Sequence, residues 1–371
     1  MSFDIINAEQ CFSKDMNPYT LISGEFNVFE PYFQERQGTP KKKQRKSPSI
    51  TDVETEKRHE ELRPLLTNCI DKLQAVWPKR EQKSTKSKEI KNEIDFPSIQ
   101  SMVESAHNRF TSQHDERIEL PEEGDDDAAY RDLDIFSVFN KICINSAQRL
   151  KQIEITPSAK YLIPPRSSFI MGSMTDSSLQ QLSDYVSSLG GADLIIIDPP
   201  WPNKSVHRSS KYETQDIYDL FTIPMKDMIN VNSVVAVWVT NKPKFRKFII
   251  HKLFPAWELE CKAEWVWLKV TTEGQCIFPL DSSHKKPYEQ LIIGHRQKTS
   301  DLPSRHVIVS VPSLRHSRKP PLQDVILPYL KNKDRPVCVE MFARCLTPGW
   351  ISWGNECLKF QHTEYFEKKA S

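Results

Sequence analysis

Apolar positions along this chain fall into two regimes that meet near residue 150. In the first, Leu62, Leu65, Leu66, Ile70, Leu73 and Val76 recur every three or four residues up to Trp77-Pro78, the spacing of one helix face. Thr51 to Glu54 has the form of a capping box ahead of that run. Phe96 to Phe110 predicts a second short helix. Leu133 to Leu150 predicts another through Ile135, Phe136, Phe139, Ile142 and Ile144. In the second regime the runs are short. Ile153 to Ile155 and Tyr161 to Ile163 read as strands and Ser177 to Leu189 as a helix. Strands are then expected at Asp193 to Ile197, Ser233 to Val239, Ala263 to Val270, Tyr288 to Ile293, His306 to Val311 and Val337 to Met341, with helices at Pro243 to Phe254 and Leu322 to Leu330. This alternation predicts an α/β catalytic domain with a mostly parallel sheet over residues 151–371, preceded by a mostly helical accessory region over 1–150.

The stretch Leu194-Ile195-Ile196-Ile197 is apolar at every position, too short for a typical helix and strongly β-branched. It predicts a strand buried on both faces. Asp198-Pro199-Pro200-Trp201 follows, and neither proline can donate to a sheet ladder, so the strand stops there. A carboxylate, two stiff residues and an indole then stand at the carboxyl end of a strand, where open α/β sheets bind their ligands. Such a group suits a planar amine: Asp198 and the Pro199 carbonyl each accept an N–H, and Trp201 stacks on the base. A turn beside a core tryptophan is the plainer reading of the same four residues.

Composition narrows the partners. With 51 basic and 49 acidic residues the formal charge is +2, so no global basic field exists and any nucleic-acid contact must be local. Lys41 to Lys46, between prolines, resembles a nuclear import signal or a backbone-binding patch. Pro202 to Thr214 carries Lys204, His207, Arg208, Lys211 and Tyr212, a composition that suits a lid over a nucleotide or a solvated connector. Met1 to Gln34 has enough apolar residues to pack somewhere. Eight cysteines without a C-x-x-C pair point to a reducing compartment and no zinc site, and no apolar run reaches membrane-spanning length. Three further polar clusters could carry chemistry: His284 to Glu289, with Lys286; the cationic turn Arg315 to Pro320, able to hold a carboxylate or phosphate; and Glu340 to Arg344, an acid at a strand end.

Taken together, Asp198 to Trp201, Trp238-Val239-Thr240-Asn241, the His284 to Glu289 turn, Lys319-Pro320 and Glu340 to Arg344 resemble the S-adenosylmethionine-dependent adenine-N6 methyltransferases that include the catalytic subunit of the messenger-RNA adenosine methyltransferase. Pro202 to Val206, Phe278 to Ser282 and Trp350 to His362 resemble the methyltransferase-like protein four branch in particular. The resemblance is strong over Tyr161 to Phe366. It implies a Rossmann-like domain in which the catalytic strand precedes the strand ending in Glu340, a permuted order. It also implies S-adenosylmethionine as methyl donor, with Ser168, Phe169, Asp198, Lys319, Glu340, Arg344, Asn355 and Glu356 around it. Trp201, Lys204, Arg208, Tyr212, His284 and Lys286 are expected on the substrate side. The implied substrate is nucleic acid, internal 2′-O-methyladenosine of U2 small nuclear RNA, with adenine in DNA as the alternative. The implied location is the nucleus, with no metal, no membrane and no obligate catalytic partner. Leu346-Thr347 stand where the messenger-RNA enzyme has a His-Asn pair, Glu356 stands for a glutamine, and the glycine-rich cofactor loop common in methyltransferases is replaced by Phe342-Ala343-Arg344. A binding scaffold without catalysis, and a methyltransferase for protein or small molecules, are the competing readings.

Overall fold

In the computed structural model the described residues are 3–32, 50–78, 94, 117–120, 130–134, 138–156, 159–202, 216–282, 285–296, 301–315 and 317–369. The expected helix at 96–110, the basic run 41–46 and the predicted substrate residues Lys204, Arg208, Tyr212 and His284 lie outside them. In chain order the strands are β1 (Phe3–Ile5), β2 (Tyr19–Leu21), β3 (Arg117–Glu119), β4 (Tyr130–Asp134), β5 (Ile142–Asn145), β6 (Lys151–Thr156), β7 (Ala159–Ile163) and β8 (Ser167–Met171). They continue with β9 (Ala192–Ile197), β10 (Ile229–Val239), β11 (Glu260–Lys269), β12 (Tyr288–His295), β13 (Arg305–Ser310), β14 (Cys338–Met341), β15 (Ile351–Gly354) and β16 (Phe366–Lys368). Eleven of them form one sheet in the order β1-β13-β11-β12-β10-β9-β14-β15-β8-β5-β3. β12 runs antiparallel to both of its neighbours, and β5 antiparallel to β8. The remaining pairings are parallel.

β9 lies near the middle, between β10 and β14, and all six of its residues are buried. Its period-two alternation divides them between two apolar layers. Leu194 and Ile196 join Val234, Ala236, Trp238, Trp265 and Leu291 on one face, while Ile195 and Ile197 join Val235, Val237, Val239 and Ile292 on the other. The helix Ser178–Ser188 covers the second face with Leu179, Leu182 and Val186. Gly190 and Gly191, at φ +89° and +87°, turn the chain from that helix into β9, a conformation with little cost only for glycine. A helical stretch from Pro243 to Ala256 lies on the same face and passes through a π turn at Ile249–Leu253.

Among the described residues, the first 150 positions depart from the expected mostly helical region. β1, β3 and β5 belong to the large sheet, and Leu133 to Leu150 holds the end of β4 and all of β5 rather than a helix. Ile142 and Ile144 are two residues apart, the spacing of one strand face, and the tertiary pairing of β5 with β8 decides between the two periods. The expected long helix is present at Ile50–Val76. Its Leu62, Leu65, Leu66, Cys69 and Leu73 pack on Val266, Leu268, Val307 and Val309 of β11 and β13. Residues 3–32 also form part of the core: Ile6, Ala8, Met16, Leu21, Phe26 and Val28 are buried on the Leu194 face. Beyond residue 150, two strands of the large sheet were not visible as such. β8 is buried at all five positions, and β15 is four residues containing serine and glycine, recruited between β14 and β8.

Candidate active site

The carboxyl ends of β9 and β14 open onto a cleft lined by Asp198, Lys319, Glu340, Arg344, Arg318, Trp238, Phe342, Trp350 and Phe12, among others. β9 and β14 pair in parallel with Ile196 opposite Glu340, so their two acids emerge on one edge. The Asp198 N–H donates to the Met341 carbonyl at 3.3 Å, one last bond before the prolines end the ladder. Lys319 reaches in from the turn before Gln323 and donates to Asp198 Oδ2 at 2.9 Å. It also lies 3.4 Å from Glu289 Oε2. Lys269 holds the other oxygen of Glu289.

These groups set one another's charge. Burial disfavours the Lys319 ammonium, but Asp198 and Glu289 outweigh burial and keep its pKa above the usual lysine value. Burial would raise Glu289; the neighbouring ammoniums of Lys319 and Lys269 instead bring it down to about 2. Glu340 has no such cation of its own. Burial and the Asp198 charge push it up to about 7, with Lys319 opposing. The cleft therefore holds one fixed ion pair and one carboxyl that changes state near neutrality.

The Asp198 to Trp201 motif is divided by the fold. Asp198 faces the cleft, whereas the Trp201 indole packs on the opposite side of the sheet edge, 4.6 Å from the Phe245 ring centroid. Trp201 Nε1 donates to the Trp238 carbonyl at 2.8 Å, and the Trp201 N–H donates to the Pro199 carbonyl at 2.8 Å. One indole face is thus committed to Phe245. The Pro199 carbonyl has a second lone pair for an incoming donor.

Other predicted residues are brought together less directly. Arg344 lines the cleft and pairs with Glu356 at 3.1 Å, and Glu356 also accepts from Lys359 at 2.8 Å. Glu356 and the half-buried Asn355 stand behind the lining rather than in it. Gly354 yields space to the Phe342 to Arg344 turn, where a Cβ would meet the Ala343 nitrogen at 3.0 Å, while Phe342 itself takes the left-handed conformation at φ +60°. Ser168 and Phe169 are interior residues of β8, with Phe169 buried against Val138, Phe139 and Leu358. They are not in the cleft wall. Lys286, expected on the substrate side, lies under the helix Ile50–Val76 and pairs with Glu56 at 3.3 Å. Its side chain is 7% exposed, which leaves it little contact with any incoming polymer. Among the cleft residues outside the expected set, Arg318 belongs to the cationic turn that the sequence singled out, whereas Phe12 reaches the cleft only through the packing of residues 3–32. Glu289, which contacts Lys319 without lining the cleft, ends the polar stretch His284 to Glu289.

Residues 192–356 match the model of the MT-A70 family. The chain is 38% identical over 305 residues to the N(6)-adenine-specific methyltransferase METTL4 of Homo sapiens, an alignment covering 78% of this chain and 62% of the human protein. It is 37% identical over 221 residues to the N6-methyladenosine RNA methyltransferase MTA1 of Pyricularia oryzae, covering 56% of this chain and 57% of the fungal protein. To the DNA N6-methyl methyltransferase of Caenorhabditis elegans it is 34% identical over 224 residues, 59% of each chain. The chain therefore spans about three-fifths of the length of these relatives. The matched MT-A70 segment runs from β9 to just past β15 and so contains Asp198, Lys319, Glu340 and Arg344. Among the described residues no helix is long and apolar enough to cross a membrane.

Proposed function

We propose that the chain is an S-adenosylmethionine-dependent adenine-N6 methyltransferase of nucleic acid, built on a Rossmann-like domain of permuted motif order, whose substrate is an internal 2′-O-methyladenosine of U2 small nuclear RNA. The observation that carries this reading is the Asp198–Lys319 pair in the cleft at the end of β9. A carboxylate and an ammonium 2.9 Å apart offer both partners that an amino-acid zwitterion needs, and Glu340 on the neighbouring strand β14 offers a carboxyl to hydroxyl groups. Arg344 and the aromatic walls Trp350 and Phe342 complete a site that fits a nucleoside joined to an amino acid. The donor supplies a methyl group on a cationic sulfur, which makes that carbon electrophilic.

The protein's own residues supply alignment. Lys319 engages only Oδ2 of Asp198, so Oδ1 is left for an N–H of the adenine amine, and the Pro199 carbonyl takes the other. Both acceptors stand on a backbone stiffened by two prolines. Withdrawing the two N–H groups from the ring plane localises the nitrogen lone pair, and fixing the amine in line contributes up to about 7 to 11 kcal/mol in favourable cases. Asp198 orients and polarises; it takes a proton only after the nitrogen has become cationic. The target adenine must be unpaired or flipped, since pairing occupies its amine.

RNA is favoured because the fungal relative is named an RNA methyltransferase; the nematode relative's name makes DNA the second reading. The purified chain alone, incubated with methyl-labelled donor and matched oligonucleotides, tests both. Label in adenine of the 2′-O-methyl RNA above the unmodified RNA and the DNA is the expected result. Label only in DNA would replace the substrate, and label in no polymer would reject the activity. Nuclear residence is the accompanying proposal, checked by imaging the tagged protein.

A further inference from the structure

Beside Lys319 stands a second cation with a different environment. The Arg318 side chain is 2% exposed, lines the same cleft, and its Nε and Nη1 have no hydrogen-bond partner. Its guanidinium carbon lies 4.1 Å from the Phe12 ring centroid, 5.0 Å from Phe360 and 5.8 Å from Phe26. Those rings satisfy the cation's faces and not its N–H edge. The nearest carboxylate is Glu25, 3.8 Å from Nη1, which is beyond hydrogen-bond reach. Arg315 already takes both Glu25 oxygens, with contacts of 2.7 to 3.1 Å.

The two neighbours are thus opposite in balance. Lys319 is one ammonium shared by two carboxylates, Asp198 and Glu289. Arg315 and Arg318 are two guanidiniums sharing one carboxylate, Glu25. A buried guanidinium with orphaned donors is costly unless an anion arrives. We infer that Arg318 joins Lys319 on the carboxylate of the methyl donor, positioned for it by Phe12 and Glu25 of the amino-terminal segment. This rests on the donor reading above. S-adenosylmethionine has no phosphate, so its carboxylate is its one anionic group and the acceptor best matched to these donors. The inference also assigns residues 3–32 a task, since Phe12 and Glu25 both come from that segment.

The test compares two ligands by calorimetry, S-adenosylhomocysteine and its analogue lacking the carboxylate. Wild type is expected to prefer the carboxylate by more than about tenfold, as a charged hydrogen bond implies. In Arg318→Met, an apolar side chain of similar length among the same rings, that preference should shrink by about tenfold while affinity for the analogue stays within about threefold. Arg318→Lys keeps the charge without the planar fork and should fall between the two. It carries the test if the methionine variant does not fold. An unchanged ratio in either folded variant overturns the inference, as does a wild type that binds both ligands equally and so leaves the donor reading standing. A wild type that binds neither ligand rejects the donor reading itself.

Discussion

Two ionic networks lie on this sheet, and their difference separates architecture from chemistry. Glu264, on β11, receives Arg246 through two bonds of 2.6 Å and Arg58 from the helix Ile50–Val76. Arg58 also donates to Gln290 at 3.0 Å and to Glu61 at 2.9 Å. Burial tends to raise the Glu264 carboxyl, but Arg246 and Arg58 hold it below the usual range. Every charge has its partner, and the result is a rivet between helix and sheet. In the cleft the same residue types are left unbalanced: Glu340 sits near 7 beside the Asp198 charge, and Arg318 keeps orphaned donors. A saturated network holds elements together. An unsaturated one waits for a ligand.

The sharpest way to break the comparison is to remove a charge from each network. Glu264→Ala leaves two guanidiniums without their shared acceptor and should cost about 3 kcal/mol in urea unfolding, with turnover per folded molecule unchanged. Asp198→Asn should do the reverse. Turnover falls by about a hundredfold or more, near 2.7 kcal/mol of transition-state stabilisation, while donor affinity stays within about tenfold and stability hardly moves. Loss of activity in the first variant, or full activity in the second, would erase the distinction.

Glu340 gives a pH test. Its folded pKa of about 7 lies above the ordinary 4.5, so between those values the folded protein keeps a proton that the unfolded chain has released. This group's contribution to stability therefore falls as pH rises through that window, by about 2 kcal/mol from pH 5 to 7, and levels off above it. Glu340→Gln should lack that component when unfolding is measured across the same pH range; an unaltered slope would place the proton elsewhere. The smallest effect is expected at Trp201→Phe. It loses the bond to the Trp238 carbonyl, about 1 kcal/mol, and keeps the packing on Phe245.

Much of the site was legible in one dimension because strand ends and prolines are local signals. Ile195 to Ile197 followed by Asp198-Pro199-Pro200 marks a buried strand and its end without any partner known. Glu340 is recognisable as the acid of a β-branched run for the same reason. The misread parts depend on partners. β15 is strand only because β14 and β8 flank it, and β5 competes with a helical spacing that its own residues also permit. Lys286, expected on the substrate side, is held by Glu56 of a helix 230 residues earlier.

What the chain by itself determined is therefore the set of short apolar runs, their terminators and the chemical types placed at their ends, since propensity and proline geometry act between neighbours. Which charges meet was decided only by the tertiary structure. Lys319 reaches Asp198 across 121 positions and Arg315 reaches Glu25 across 290. The electrostatics of a cleft depend on distance and burial, and neither quantity exists until the sheet has closed its ladder and the amino-terminal segment has covered its face.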